Sequence, residues 1–370
     1  MRLFFIFLSV FLTGTLSRAV SLMDPEDGYL DASNWLLEHH GFIPVPVIIT
    51  EPAVGYGAGV ALLFMQRGQP GHHREEGKFA PPIVTAVAAG ATENGTKFAG
   101  LVHQRSWDED HWRYFGAIAL TSINLDFYEL SDFRQNAPTL EYNLDGGGTA
   151  QEIRRRLGES EWFAGLRYLY ADITASFAGD YPPFLESAKN RERNGGLAVV
   201  ANYDGRDNTL SPQDGYQGEF RYYVFDPAFG SDHKYRLAVA DLTGFWQFNP
   251  TWGAAARLLT KKMSGDPPFY TKPYINLRGI AKMRYQGDLA VSSEGELRWS
   301  PHHRWQYSVF GGVGKAVTEG QDYDDASSAG TYGAGFRYLM ARLLGFQMGL
   351  DLARGPEETV VYIQAGSAWF

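Results

Sequence analysis

The chain has 370 residues, with 33 Lys and Arg against 42 Asp and Glu, and a net charge of -9 is the wrong sign for gripping nucleic acid through its phosphates. Forty-two glycines, 15% aromatic residues and a mean hydropathy of -0.27 argue against an ordinary soluble enzyme and exclude a polytopic helical membrane protein. A membrane barrel stays open, because only alternate residues of each strand would face lipid.

Cysteine is absent, so disulfides, thiolate metal sites and cysteine nucleophiles are all removed. At the start, Arg2 precedes the apolar run Leu3 to Leu12 and then Ser17-Arg18-Ala19, a small-x-small site. The pattern predicts a secretory signal peptide over 1–19, too short in its apolar part to span a bilayer as a helix. Residues 20–41 read as a short periplasmic segment with one helix, since Asp31-Ala-Ser-Asn-Trp-Leu-Leu-Glu-His-His-Gly41 offers an N-cap, one apolar side and a glycine stop.

From Phe42 onward the hydrophobic period becomes two, in runs of about ten residues separated by turn signals, as expected of a transmembrane barrel. The strands are predicted near 43–50, 55–64, 82–92, 97–105, 112–126, 139–152, 162–176, 196–206, 216–226, 235–248, 252–263, 289–299, 305–317, 331–340, 344–353 and 359–370. That makes sixteen. The first hairpin at Thr50-Glu-Pro52 and the split at Ala341-Arg342 carry the weakest signals, and without them the count is fourteen.

Short turns at 93–96, 108–111, 158–161 and 249–251 broadly alternate with long polar connections at 131–138, 179–194, 264–288 and 318–328, apart from a longer stretch at 66–78 on the short-turn side. Outer-membrane barrels keep short periplasmic turns and longer extracellular loops. Trp107, Trp112, Trp162, Trp252, Trp299 and Trp305 sit near strand ends, where interfacial aromatic girdles form.

Two segments carry a more specific signal. Asp204-Gly-Arg-Asp-Asn-Thr-Leu-Ser-Pro-Gln-Asp-Gly215 joins an acidic and Arg-bearing strand end to a Pro-x-x-Gly turn, and the 264–288 connection contains Leu277-Arg278-Gly279-Ile280. Together they resemble the BamA/TamA family, the bacterial surface antigen barrels, over most of 42–370. The usual aromatic of that family's Arg-Gly motif is replaced here by Ile280.

The resemblance implies that this sixth loop folds back into the lumen, where Arg278 pairs with Glu296 and Gly279 lets the tip turn. Glu294, Glu296 and Arg298 share one face by period two, so Glu294 and Arg298 are supporting candidates. The family's second acid is missing, since Gly312 stands at its place, which implies one strong partner for Arg278. The terminal Tyr362-Ile-Gln-Ala-Gly366-Ser-Ala-Trp369-Phe370 resembles the closing strand that the barrel-assembly machinery reads.

Other candidate chemistry is weaker. His39-His40, His72-His73 and His302-His303 are sequence neighbours that point apart on a strand, and Asp322-Tyr-Asp-Asp325 lacks the glycine and glutamate of a calcium loop. Ser211 and Ser300 sit in no nucleophile elbow. Arg154-Arg-Arg156 reads as a solvated strand end.

The expectation is therefore all-β: a closed antiparallel transmembrane barrel of about sixteen strands over 42–370, with no enzymatic activity, metal or cofactor. The resemblance implies the outer membrane of a Gram-negative bacterium, the subgroup without POTRA domains, and insertion or translocation of unfolded outer-membrane protein or lipid clients. Membrane lipid and the assembly machinery would be its partners, with no nucleic acid. A passive pore, a structural barrel and an outer-membrane hydrolase are the alternatives.

Overall fold

In the computed structural model the described residues are 22–38, 43–66, 81, 83–127, 140–177, 191–367 and 369. The signal peptide, the first two histidine pairs, Phe370, most of 66–78, all of 131–138 and most of 179–194 lie outside them. Among the described residues one α-helix, α1 (Ser33–Glu38), precedes sixteen strands: β1 (Ile43–Ile49), β2 (Gly57–Gln66), β3 (Ile83–Thr92), β4 (Lys97–Trp107), β5 (Trp112–Phe127), β6 (Leu140–Arg156), β7 (Trp162–Phe177), β8 (Arg191–Asp204), β9 (Gly215–Phe225), β10 (Tyr235–Gln247), β11 (Trp252–Gly265), β12 (Leu289–His302), β13 (Trp305–Val317), β14 (Ser327–Ala341), β15 (Phe346–Arg354) and β16 (Thr359–Ala365). Each pairs antiparallel with the next in a single sheet. Both weakly signalled hairpins form, so the count is sixteen and not fourteen.

The sheet curls into a nearly closed barrel. On β12, Ala290, Ser292, Glu294, Glu296 and Arg298 are buried while the alternate residues are exposed, so the period read from sequence sorts a lumenal face from an outer one. Outward Leu120, Val313 and Tyr332 are exposed, as lipid-facing residues should be in the absence of lipid. The six tryptophans named above all fall at the short-turn rim, and Trp107 stacks on Trp112 and Trp252 on Trp299, each at 6.2 Å between centroids.

β1 and β16 end the hydrogen-bonded order, with no ladder between them among the described residues. The physical reason is partly in β1, Ile-Pro-Val-Pro-Val-Ile-Ile. Its ladder to β2 runs unbroken from Ile43 to Ile49, which requires Ile43, Val45, Val47 and Ile49 to supply the bonds to β2. Pro44, Pro46 and Ile48 therefore face the open edge, and two of those three positions have no N–H to donate.

At the short-turn rim, residues 22–38 are fastened under the barrel. The Arg304 guanidinium, with no exposed side-chain surface, donates to Asp24, Asp27 and Asp31 at 2.6 Å each. Arg342 donates to Asp24 at 2.7 Å, and Asp31 also accepts from Ser33 N at 2.6 Å, capping α1. Trp35 of α1 packs with Val45 of β1 and Phe346 of β15, so the segment sits beneath the open edge.

Candidate functional site

The 266–288 connection enters the lumen and packs against the inner wall by small gaps cut for it. Ile275, Leu277 and Ile280 are buried among Ala290, Ala316 and Ala329. A Cβ on Gly312 would lie 2.8 Å from Leu277 Cδ2, and one on Gly314 would lie 2.4 Å from Ile275 Cγ2. The glycine that occupies the expected acid's position is thus the socket for Leu277. At the tip, Gly279 has φ 88° and its N–H donates to the Tyr362 hydroxyl at 2.9 Å.

Next to that turn, Arg278 is engaged by three carboxylates rather than one. Its Nη2 lies 2.7 Å from Glu294 Oε1 and 3.0 Å from Glu296 Oε2, and its Nη1 lies 2.7 Å from Asp351 Oδ2. Phe310 lies under the guanidinium, 3.5 Å from Cζ to the ring centroid. Arg298 donates to Glu296 at 2.9 Å, and Arg337 donates to Asp351 at 2.6 Å. Three arginines and three carboxylates leave the cluster neutral, the condition under which buried charge is tolerated.

Of the residues singled out from sequence, Arg278, Gly279, Glu294, Glu296 and Arg298 converge here. The expectation of a single strong partner is corrected: Glu294 binds Arg278 directly, and the acid absent from β13 is supplied by Asp351 on β15. Sequence reading missed Asp351 and Arg337. Each is a charged residue of inward parity on a strand, and that was the available signal.

The terminal residues also differ from the expected closing strand. β16 stops at Ala365, Gly366 adopts φ 79°, and its N–H bonds Gln347 O at 2.7 Å. The chain then turns inward. Trp369 donates through Nε1 to Glu294 Oε1 at 2.6 Å and lies 6.2 Å from the Phe245 ring, while Tyr362 faces the lumen rather than lipid.

From the short-turn rim, the 205–214 turn approaches the same cluster. Pro212 O accepts from Arg298 at 2.8 Å, Gln213 accepts from Gln306 at 2.9 Å, and Leu210 O accepts from Ser367 N at 2.9 Å. At its root, Asp204 accepts from Arg113 at 2.6 Å and Arg206 at 2.8 Å. A turn between β8 and β9 thereby crosses to β12, β13 and the end of the chain. Sequence spacing alone places it only as a connection. The loop, the turn and the terminal Trp369 meet on one charged cluster, which can order the lumen.

Likeness to solved barrels is apparent at this level. BamA from Haemophilus ducreyi lacking POTRA domains 1-3 superimposes with a TM-score of 0.57 at 12% identity, over 89% of this chain and 70% of that one. CdiB from Escherichia coli gives 0.59 at 10% identity, over 87% and 61%, and CdiB from Acinetobacter baumannii gives 0.55 at 10%, over 88% and 59%. The chain spans about three fifths of the CdiB chains. No protein-family model and no curated protein matches it. The fold is that of the BamA and CdiB outer-membrane barrels.

Among the described residues no three His, Asp or Glu side chains group as metal ligands. His302 ends β12 and His303 opens the turn to β13; their rings do not point apart as expected but lie 4.1 Å between centroids, because the chain leaves the strand between them, and His303 Nε2 is 2.8 Å from Asp27 Oδ2. The arginine run ends in the wall rather than in solvent: Arg154 and Arg156 face the lumen, and Arg156 binds Asp110 at 2.5 Å.

Proposed function

We propose that this chain is a non-catalytic outer-membrane barrel of a Gram-negative bacterium that inserts or translocates protein or lipid clients through the edge between β1 and β16. The observation that supports this reading is the pair Pro44 and Pro46. A barrel wall in lipid normally satisfies every backbone group, at several kcal/mol for each one left open. Two prolines on the edge that faces β16 lower the number of bonds that closure can form, and so lower the barrier to parting the strands. In this orientation the short turns and α1 are periplasmic and the long loops extracellular, and the assembly machinery reads the chain's own terminal strand during biogenesis.

The test is depletion of the protein followed by measurement of outer-membrane protein and lipid levels, with rescue by the wild type and by the Pro44→Val, Pro46→Val double variant. Loss of one client class, rescued by the wild type and poorly by the double variant, is the expected result. Unchanged levels of both classes would overturn the reading in favour of a pore or structural barrel.

A further inference from the structure

Away from the Arg278 cluster, the inner wall of β6–β11 carries a second group of charges that does not balance. One register row runs Arg154, Gly165, Val200, Arg221, Val239, Lys261 across β6 to β11. Its inward orientation is fixed by Val200 and Val239, both nearly fully buried. Arg167 lies on the neighbouring inward row on one side, and Arg257 two inward rows away on the other, beyond the row of Glu219 and Asp241. Against these five cations stand three carboxylates, Glu152, Glu219 and Asp241.

The pairing shows where the surplus resides. Arg154 is shared by Glu152 and Glu219, Arg257 takes Asp241 in a bidentate contact at 2.8 and 2.6 Å, and Arg221 approaches Glu219 at 3.0 Å. Arg167 reaches Glu152 only at 3.4 Å, and its Nε is buried with no hydrogen-bond partner. Lys261 forms no ion pair among the described residues; its Nζ lies 4.9 Å from the ring centroid of Tyr274 on the inserted loop. The acids nearer the short turns are already taken, Asp110 by Arg113 and Arg156, and Asp204 by Arg113 and Arg206.

An unpaired ammonium and an orphaned guanidinium N–H in a partly desolvated lumen are unfavourable, and the surplus sign is opposite to the chain's own net charge of -9. A counter-anion between Lys261 and Arg221, whose Nε is also buried and makes no hydrogen bond despite Glu219 at 3.0 Å, relieves both of those groups at once. Arg221 and Lys261 stand two strands apart, about 10 Å between backbones, a gap that two long side chains can close around one small anion. A phosphate group suits them, with two negative charges and several acceptor oxygens for guanidinium forks and an ammonium.

We propose that this wall is a binding station for a phosphate-bearing anion, held by Lys261 and Arg221 inside the barrel. The phosphate belongs either to a soluble molecule or to a lipid headgroup. The station does not depend on the seam or on any client, and it stands or falls separately from the translocation reading.

The experiment uses the full chain in neutral detergent micelles, with inorganic phosphate titrated by calorimetry and thermal unfolding followed at constant ionic strength against chloride. Phosphate should bind and raise the unfolding midpoint. Lys261→Met should weaken phosphate binding at least tenfold while being no less stable than the wild type without phosphate, since it removes an unpaired charge. Arg221→Gln should weaken binding in the same direction, and Lys315→Met, an outward lysine, should not.

Phosphatidic acid doped into the micelles decides the source: displacement of inorganic phosphate assigns the station to a headgroup, and failure to displace assigns it to a soluble anion. Phosphate acting no differently from chloride, or binding Lys261→Met as tightly as the wild type, would overturn the proposal.

Discussion

Arg278 of the inserted loop and Asp351 of β15 meet at 2.7 Å, although 73 residues separate them in the chain. Asp351 has no exposed side-chain surface and also accepts from Arg337, so one carboxylate ties the loop to two neighbouring wall strands. Removing one partner of such a buried network leaves the others uncompensated.

Arg278→Ala should therefore destabilise the folded barrel by about 3–5 kcal/mol. It would be read as a lower temperature for the heat-dependent shift in gel mobility. Asp351→Asn, which leaves three arginines facing two carboxylates, should move the transition in the same direction. The double variant should cost less than the sum of the two. Additive losses would show that the two side chains are not coupled.

Gly312→Glu restores the acid that the family pattern places on β13, yet it should destabilise rather than strengthen the lock. Its Cβ would stand 2.8 Å from Leu277 Cδ2 and 3.0 Å from the Ser293 carbonyl. Overpacking of this kind costs on the order of 1–3 kcal/mol. A higher unfolding midpoint in detergent would contradict the socket.

Trp369→Phe keeps an aromatic ring but removes the donor to Glu294. A hydrogen bond to a charged group contributes roughly 1.5–3 kcal/mol, so the variant should lower the midpoint by less than Arg278→Ala does. The informative measurement is loop protection from protease. If the terminal residues help hold the loop, cleavage within 266–288 should quicken.

The clasp beneath the barrel predicts a pH dependence. The Arg304 hydrogen bond, followed by those of Tyr29 N and His303, holds the Asp27 carboxyl well below its usual range, and the Arg342 bond does the same for Asp24. Burial pushes Asp31 upward, but its bonds from Arg304, Ser33 and Arg342 outweigh that and leave it lowered as well. Groups depressed in the folded state stabilise it above their ordinary pKa, near 3.8, and lose that contribution as pH falls through the folded values. The hydrogen-exchange protection factors of residues 22–38, taken against the intrinsic exchange rate at each pH, should be high at pH 7 and fall below about pH 4. Arg304→Ala should release the segment already at neutral pH; equal protection in that variant would refute the clasp.

Much of this barrel was legible in the sequence because alternation and turn chemistry are local. Sixteen period-two runs, the inward parity of Glu294, Glu296 and Arg298, and the loop bearing Arg278 needed no knowledge of which strands adjoin. The inward arginines of β6 were misread as a solvated strand end, because parity alone does not say which wall positions meet an opposite charge. Gly312 was misread for a related reason. A missing carboxylate is visible in one dimension, whereas the space it leaves for Leu277 is not.

What the chain determined by itself was a wall with two faces, set by the two-residue repeat of an extended backbone. What only the tertiary structure decided was which side chains and strand edges that wall brings together: Asp351 beside Arg278, Trp369 on Glu294, Pro44 and Pro46 on the edge toward β16, and Lys261 without an ion pair among the described residues. Curling a sheet into a barrel places residues from distant strands on one lumen, and the low dielectric there makes each match or mismatch of charge matter.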